Sequence, residues 1–190
     1  DFESAIEYYS KIERTSSLYY DSNIQIGKIL KFRALTINTN SRYLNELRQL
    51  ITKLPEDYAD SPKLKVELAI ILSSVLDGQN RKKAAVEVMV KFSKGADLTE
   101  DQKYYLASLY DKAEMYEDAL NLMLTVVEKN PNNPHALNFV GYLMLENGGE
   151  LDVAFDYINQ AIKLKPDDAY IRDSLGWYYY KRGNFKKALV

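Results

Sequence analysis

From Thr99 onward, apolar residues fall at spacings of three and four, and the phase of that pattern restarts about every 34 residues. Leu106, Ala107 and Tyr110 share one face of a predicted helix, and Ala119, Met123 and Val126 share a face of the next. Thr99 followed three residues on by Gln102 has the form of a capping box, so the first of these helices is expected to start there. Pro131 ends the second, because proline cannot continue a helix and biases Asn130 away from helical backbone. The pattern then recurs. Gly141 returns as Gly176 after 35 residues, Pro131 as Pro166 after 35, and Ala119 as Ala154 and Ala188 after 35 and 34. Such a period is that of a helical-hairpin repeat, in which each unit buries its apolar face only against its neighbours.

The units read as 100–133, 134–168 and an incomplete 169–190, preceded by two divergent ones at 18–57 and 58–99 and a lone second helix over 1–17. In the fifth unit, Asn133-Pro134 supplies a capping residue with proline in the first helical position, and Gly148-Gly149 supplies a left-handed helix end. That glycine pair also holds one residue more than the period needs. Upstream, Ile26, Gly27 and Leu30 pair with Tyr43, Leu47, Leu50 and Pro55, and Leu68, Ala69 and Leu72 pair with Ala85, Met89 and Phe92. Both early units carry extra residues between their helices, about one helical turn at ~3.6 residues per turn, so their first helices are expected to be a turn longer.

Small residues at positions eight and twenty, large ones at seven, eleven and twenty-four, and proline at thirty-two resemble the tetratricopeptide repeat in its bacterial form. The resemblance implies an all-α fold, a right-handed α–α superhelix of hairpins spanning 1–190 as one solenoid. It also implies a concave face lined by positions two, five, nine, twelve and thirteen of each repeat. Carried onto this sequence, that face takes Tyr104 from the fourth unit; His135, Asn138 and Tyr142 from the fifth; and Tyr170, Asp173, Trp177, Tyr180 and Lys181 from the sixth. Trp177 and Tyr180 have a second reading, burial beneath a following repeat. The family's carboxylate clamp for chaperone tails wants Lys at position five and Asn at nine of its first repeat. Here those positions hold Ile24 and Lys28, Val66 and Ile70, Tyr104 and Ser108, Asn138 and Tyr142, and Asp173 and Trp177, so that ligand class is not expected.

Composition narrows the chemistry. Net charge is −2, with 15 basic and 13 acidic residues before Thr99 and 10 and 14 from there on, so neither half is a polybasic arm for nucleic acid. No stretch is apolar enough to span a membrane. Without cysteine there are no disulfides, thiolates or Cys-held zinc, and His135, the sole histidine, has no second imidazole to complete a metal or catalytic set. Glu117-Asp118 and Asp167-Asp168 fall at helix starts, where the helix dipole favours them. Gly148-Gly149 lacks the preceding strand and the Lys-Ser/Thr of a phosphate loop. The 16 tyrosines divide into wedges between helices, expected of Tyr9, Tyr43, Tyr110, Tyr116 and Tyr179, and candidates for the groove.

These features lead to a non-catalytic interaction scaffold without metal or cofactor, binding a protein or peptide, in a bacterial periplasmic or envelope complex or else in the cytoplasm. The competing expectation is a regulatory or targeting module of a larger enzyme or transcription regulator. The chain starts and stops inside second-helix patterns, as a piece of a longer solenoid would. A signal peptide or lipid anchor would then lie elsewhere, and Phe185, Ala188 and Leu189 would be prone to self-association.

Overall fold

The computed structural model describes residues 1–36 and 41–189, which form eleven α-helices and, among the described residues, no strand. They group into two compact units, Asp1–Leu98 and Thr99–Val190.

The first unit holds α1 (Phe2–Ser10), α2 (Tyr19–Thr36), α3 (Ser41–Thr52), α4 (Ser61–Gly78) and α5 (Lys82–Ser93). Helix α1 stops well short of Ser17. A run of Glu, Arg, Thr and Ser follows, in which the Ser16 hydroxyl accepts the Leu18 N–H at 3.2 Å, a local bond that competes with helix. Arg14 in this loop donates to both carboxylate oxygens of Asp57 at 3.0 and 2.9 Å. Helices α2 and α3, and α4 and α5, pair as hairpins, and α2 also packs on α4. The two first helices are the longer ones expected, 18 residues each. Gly27 lets α2 approach α4 so closely that a Cβ there would lie 2.7 Å from Leu68 Cδ2. Leu47 and Ile51 of α3, Leu64, Leu68 and Leu72 of α4 and Met89 of α5 are fully buried. Val66, placed by the repeat register on the open face, is instead 2% exposed, because α4 is packed on by α2, α3 and α5 and buries more than one side.

The second unit holds α6 (Glu100–Lys112), α7 (Tyr116–Lys129), α8 (Pro134–Glu146), α9 (Leu151–Leu164), α10 (Ala169–Lys181) and the short α11 (Phe185–Ala188). The predicted starts are where the sequence put them. Thr99 and Gln102 form both halves of the capping box, and Asn133 accepts the Ala136 N–H with Pro134 at the helix start. Helices pair as α6/α7, α8/α9 and α10/α11, and α8 also packs on α10. The core advances along the unit in steps. Ala107, Met123, Val126, Ala136 and Val140 join α6, α7 and α8, and Leu145, Ala154, Ile158 and Tyr178 join α8, α9 and α10. Such stepwise burial is what a repeat array requires.

All four described hairpin turns share one device. At the ends of α4, α6, α8 and α10 the residues Asn80, Glu114, Gly148 and Gly183 are left-handed, with φ of 57°, 62°, 76° and 72°. The next residue in each turn donates its N–H back to Leu76, Tyr110, Met144 and Tyr179 at 2.8–2.9 Å. This is the Schellman closure of a helix. In three turns that donor is also the N-cap of the following helix; after α8 an additional residue, Glu150, takes that place.

Candidate functional site

The first helices of the second unit, α6, α8 and α10, carry the sequence-derived face. Tyr104 on α6 meets Phe139 on α8 edge-on at 5.0 Å between ring centres, yet stays 41% exposed. Burial raises the pKa of its phenol, helped by the charges of Asp168 and Tyr170. Tyr142 on α8 is 37% exposed. Its phenol is raised by burial and then by Glu146, Asp111 and Asp173, carboxylates from three successive first helices. Asn138, one turn before Tyr142, has a covered side-chain oxygen with no hydrogen-bond donor among the described residues.

Toward the end of α10 the groups interlock. The Trp177 indole N–H donates to Glu146 Oε1 at 2.5 Å, Lys181 pairs with the same carboxylate at 3.3 Å, and the Lys181 ammonium lies 5.1 Å from the centre of the indole ring. Tyr180 stacks on Trp177 with planes 5° apart, at 5.0 Å. Trp177 is half-buried against the Leu145, Ile158 and Tyr178 cluster, with its polar edge turned to α8. Tyr180 and Tyr170 are 51% and 82% exposed. His135 stands apart, its Nε2 2.9 Å from Lys165 Nζ, itself 3.9 Å from Asp168. Among the described residues no cluster of three His, Asp or Glu is placed to hold a metal ion, and no helix is long and apolar enough to cross a membrane.

No family model matches the chain. A TPR repeat-containing protein of Pseudomonas aeruginosa is 26% identical to it over 140 residues, which is 72% of this chain and 23% of that protein. A tetratricopeptide repeat protein from Parabacteroides merdae superposes with a TM-score of 0.70 at 18% identity, over 89% of this chain and 62% of that one. MamA from Desulfovibrio magneticus gives 0.61 at 17% identity over 88% and 89%. YrrB, described as a TPR protein with an unusual peptide-binding site, gives 0.59 at 21% identity over 99% and 87%. The chain is thus similar to tetratricopeptide repeat proteins in sequence and in fold. The chain therefore spans under a quarter of the curated relative's length and 62% of the Parabacteroides structure.

Reading the tetratricopeptide register back onto the structure brings in a residue that the sequence-derived set lacks. Glu146 occupies position thirteen of its repeat, 35 residues before Lys181 in the same position of the next. It accepts from Trp177 and pairs with Lys181. The signal was present in the period, since equivalent positions in adjacent repeats face one another across a solenoid. Two tyrosines exchange roles. Tyr116, expected as a wedge, is the first residue of α7 and 39% exposed, because a helix start lies at the hairpin edge and not between the helices. Tyr178 is the wedge, 6% exposed and stacked on Phe155 at 4.6 Å.

Proposed function

We propose that the chain is a non-catalytic protein-interaction scaffold whose α6, α8 and α10 face receives an extended or helical segment of a protein partner, in assembly of a bacterial envelope complex. The observation that carries this reading is a row of exposed aromatic rings, Tyr104, Tyr142, Tyr170 and Tyr180, 37–82% accessible on successive first helices. Contiguous apolar area of this kind marks interaction surfaces, and Tyr gives large contact area with a hydrogen-bonding tip at low entropic cost. The Asp173 carboxylate, whose charge acts on the Tyr142 phenol, and the unpartnered Asn138 oxygen ask for donors, so the segment is expected to bring N–H groups or basic side chains. Trp177 and Lys181 border the row and orient the segment. The peptide-binding site ascribed to YrrB supports a peptide ligand on this fold. A regulatory module within a larger protein is the second reading, supported by the greater length of the curated relative.

A random-peptide display library panned on the chain tests the proposal. Selected peptides should lose at least tenfold in affinity for Tyr142→Ala and Tyr104→Ala while thermal unfolding stays unchanged, a central aromatic anchor being worth about 2 kcal/mol or more. Peptides that bind both variants as tightly as the parent would place the interaction elsewhere.

A further inference from the structure

A cleft of about 500 Å³ lies on the hairpin-turn edge of the second unit, built by the start of α7, the end of α8 and the turn into α9. It shares no residue with the α6, α8 and α10 face described above. Leu143, 2% exposed, and Leu120 and Met144 form its apolar floor, while Tyr116 and Val153 stand at the rim, 39% and 40% exposed. That volume falls within the range of pockets that engulf a bulky side chain or small ligand.

Its origin is the additional residue after α8. Gly149 closes the Schellman turn by donating to the Met144 carbonyl at 2.8 Å, and a Cβ there would lie 3.0 Å from Met144 Cβ. The turn can therefore fold flat against the end of α8. The extra residue that follows, Glu150, caps α9 from a position the neighbouring hairpins do not have.

The charges at the rim have one sign. Glu117 and Glu150 both border the cleft, no basic residue lines it, and neither carboxylate has a partner among the described residues. Glu150 makes no capping hydrogen bond with its side chain. Arg182, at the end of α10, is held by Asp152 of α9 at 2.9 Å. Two full negative charges exceed the roughly half positive charge at each of the two helix starts, so the rim stays negative on balance.

We propose that this cleft is a second docking site, taking a large aliphatic or aromatic side chain of a partner segment that carries Lys or Arg beside it. Apolar floor and acidic rim together select that pair: the floor rewards burial of the anchor, and the carboxylates complement the cation.

The test uses two synthetic peptides, acetyl-Gly-Leu-Leu-Arg-Arg-Gly-amide and the same sequence with Glu for both Arg, titrated into the isotope-labelled chain while backbone amide shifts are followed. The basic peptide should move the amides of Leu143–Val153 and bind at least tenfold more tightly than the acidic one. In the Glu117→Lys, Glu150→Lys double variant, both positions being exposed, the preference should reverse. Equal affinity for the two peptides, shifts confined to the α6, α8 and α10 face, or no reversal in the charge-swapped variant would each overturn the proposal.

Discussion

At Gly141, α8 and α9 approach within a distance that admits no side chain. A Cβ would stand 2.6 Å from Ile158 Cγ1 and 2.8 Å from the Ala154 carbonyl oxygen, and the second of these is backbone that cannot rotate aside. In an unhindered helix Gly→Ala gains roughly 0.5–1 kcal/mol from backbone entropy. Here the overlap outweighs that gain, and Gly141→Ala is expected to lower stability by about 1–3 kcal/mol. Gly78, the last residue of α4, is the control. Its Cβ would meet only Leu35 Cδ2, at an ordinary 3.6 Å, so Gly78→Ala should raise stability by about 0.4–1 kcal/mol. Urea unfolding of both variants decides the matter; a stabilised Gly141→Ala would show that the interhelical distance is set elsewhere.

Among the elements, the hairpin turns are uniform in geometry and uneven in residue choice. The left-handed position after each helix is Gly at 148 and 183, but Glu at 114. A side chain there costs about 1–2 kcal/mol, which glycine avoids at the expense of unfolded-state entropy. Glu114→Gly should therefore stabilise the α6/α7 hairpin by up to about 1 kcal/mol, and Gly148→Ala should destabilise α8/α9 by a similar amount. Thermal melts of the two variants should move in opposite directions. Matching shifts of one sign would contradict the closure described here.

Across the whole chain, burial is distributed very unevenly among helices. Helices α1 and α11 bury no residue, whereas α4 buries nine, from Ser61 to Leu76, and α8 buries six. Local opening free energy follows such contacts. Amide hydrogen exchange should accordingly be slowest in α4, next in α8 and in α2, which also buries six residues, and close to unprotected in α1 and α11. Strong protection in α1 would show that it is held by more than the contact of Phe2, 40% exposed, with Phe32 at 5.3 Å between ring centres.

Helix order, hairpin pairing and the residues at close contacts were legible in the amino-acid sequence, because each rests on short-range rules. Capping at Thr99 and Asn133, the small residues Ala107, Ala119, Gly141 and Ala154, and the extra turn in α2 and α4 all follow from spacing alone. Repetition made the inference stronger still, since the same rule had to hold 35 residues later. The left-handed Asn80 and Glu114 were hidden, because neither residue announces that conformation as glycine does. What only tertiary structure decided is which side chains meet. Glu146 gains its role from Trp177 and Lys181 a full repeat away, and Val66 loses its open face because three helices close on α4. Exposure and partnership depend on neighbours remote in the chain, and a pattern of apolar positions says which face turns inward without saying how many neighbours will cover it.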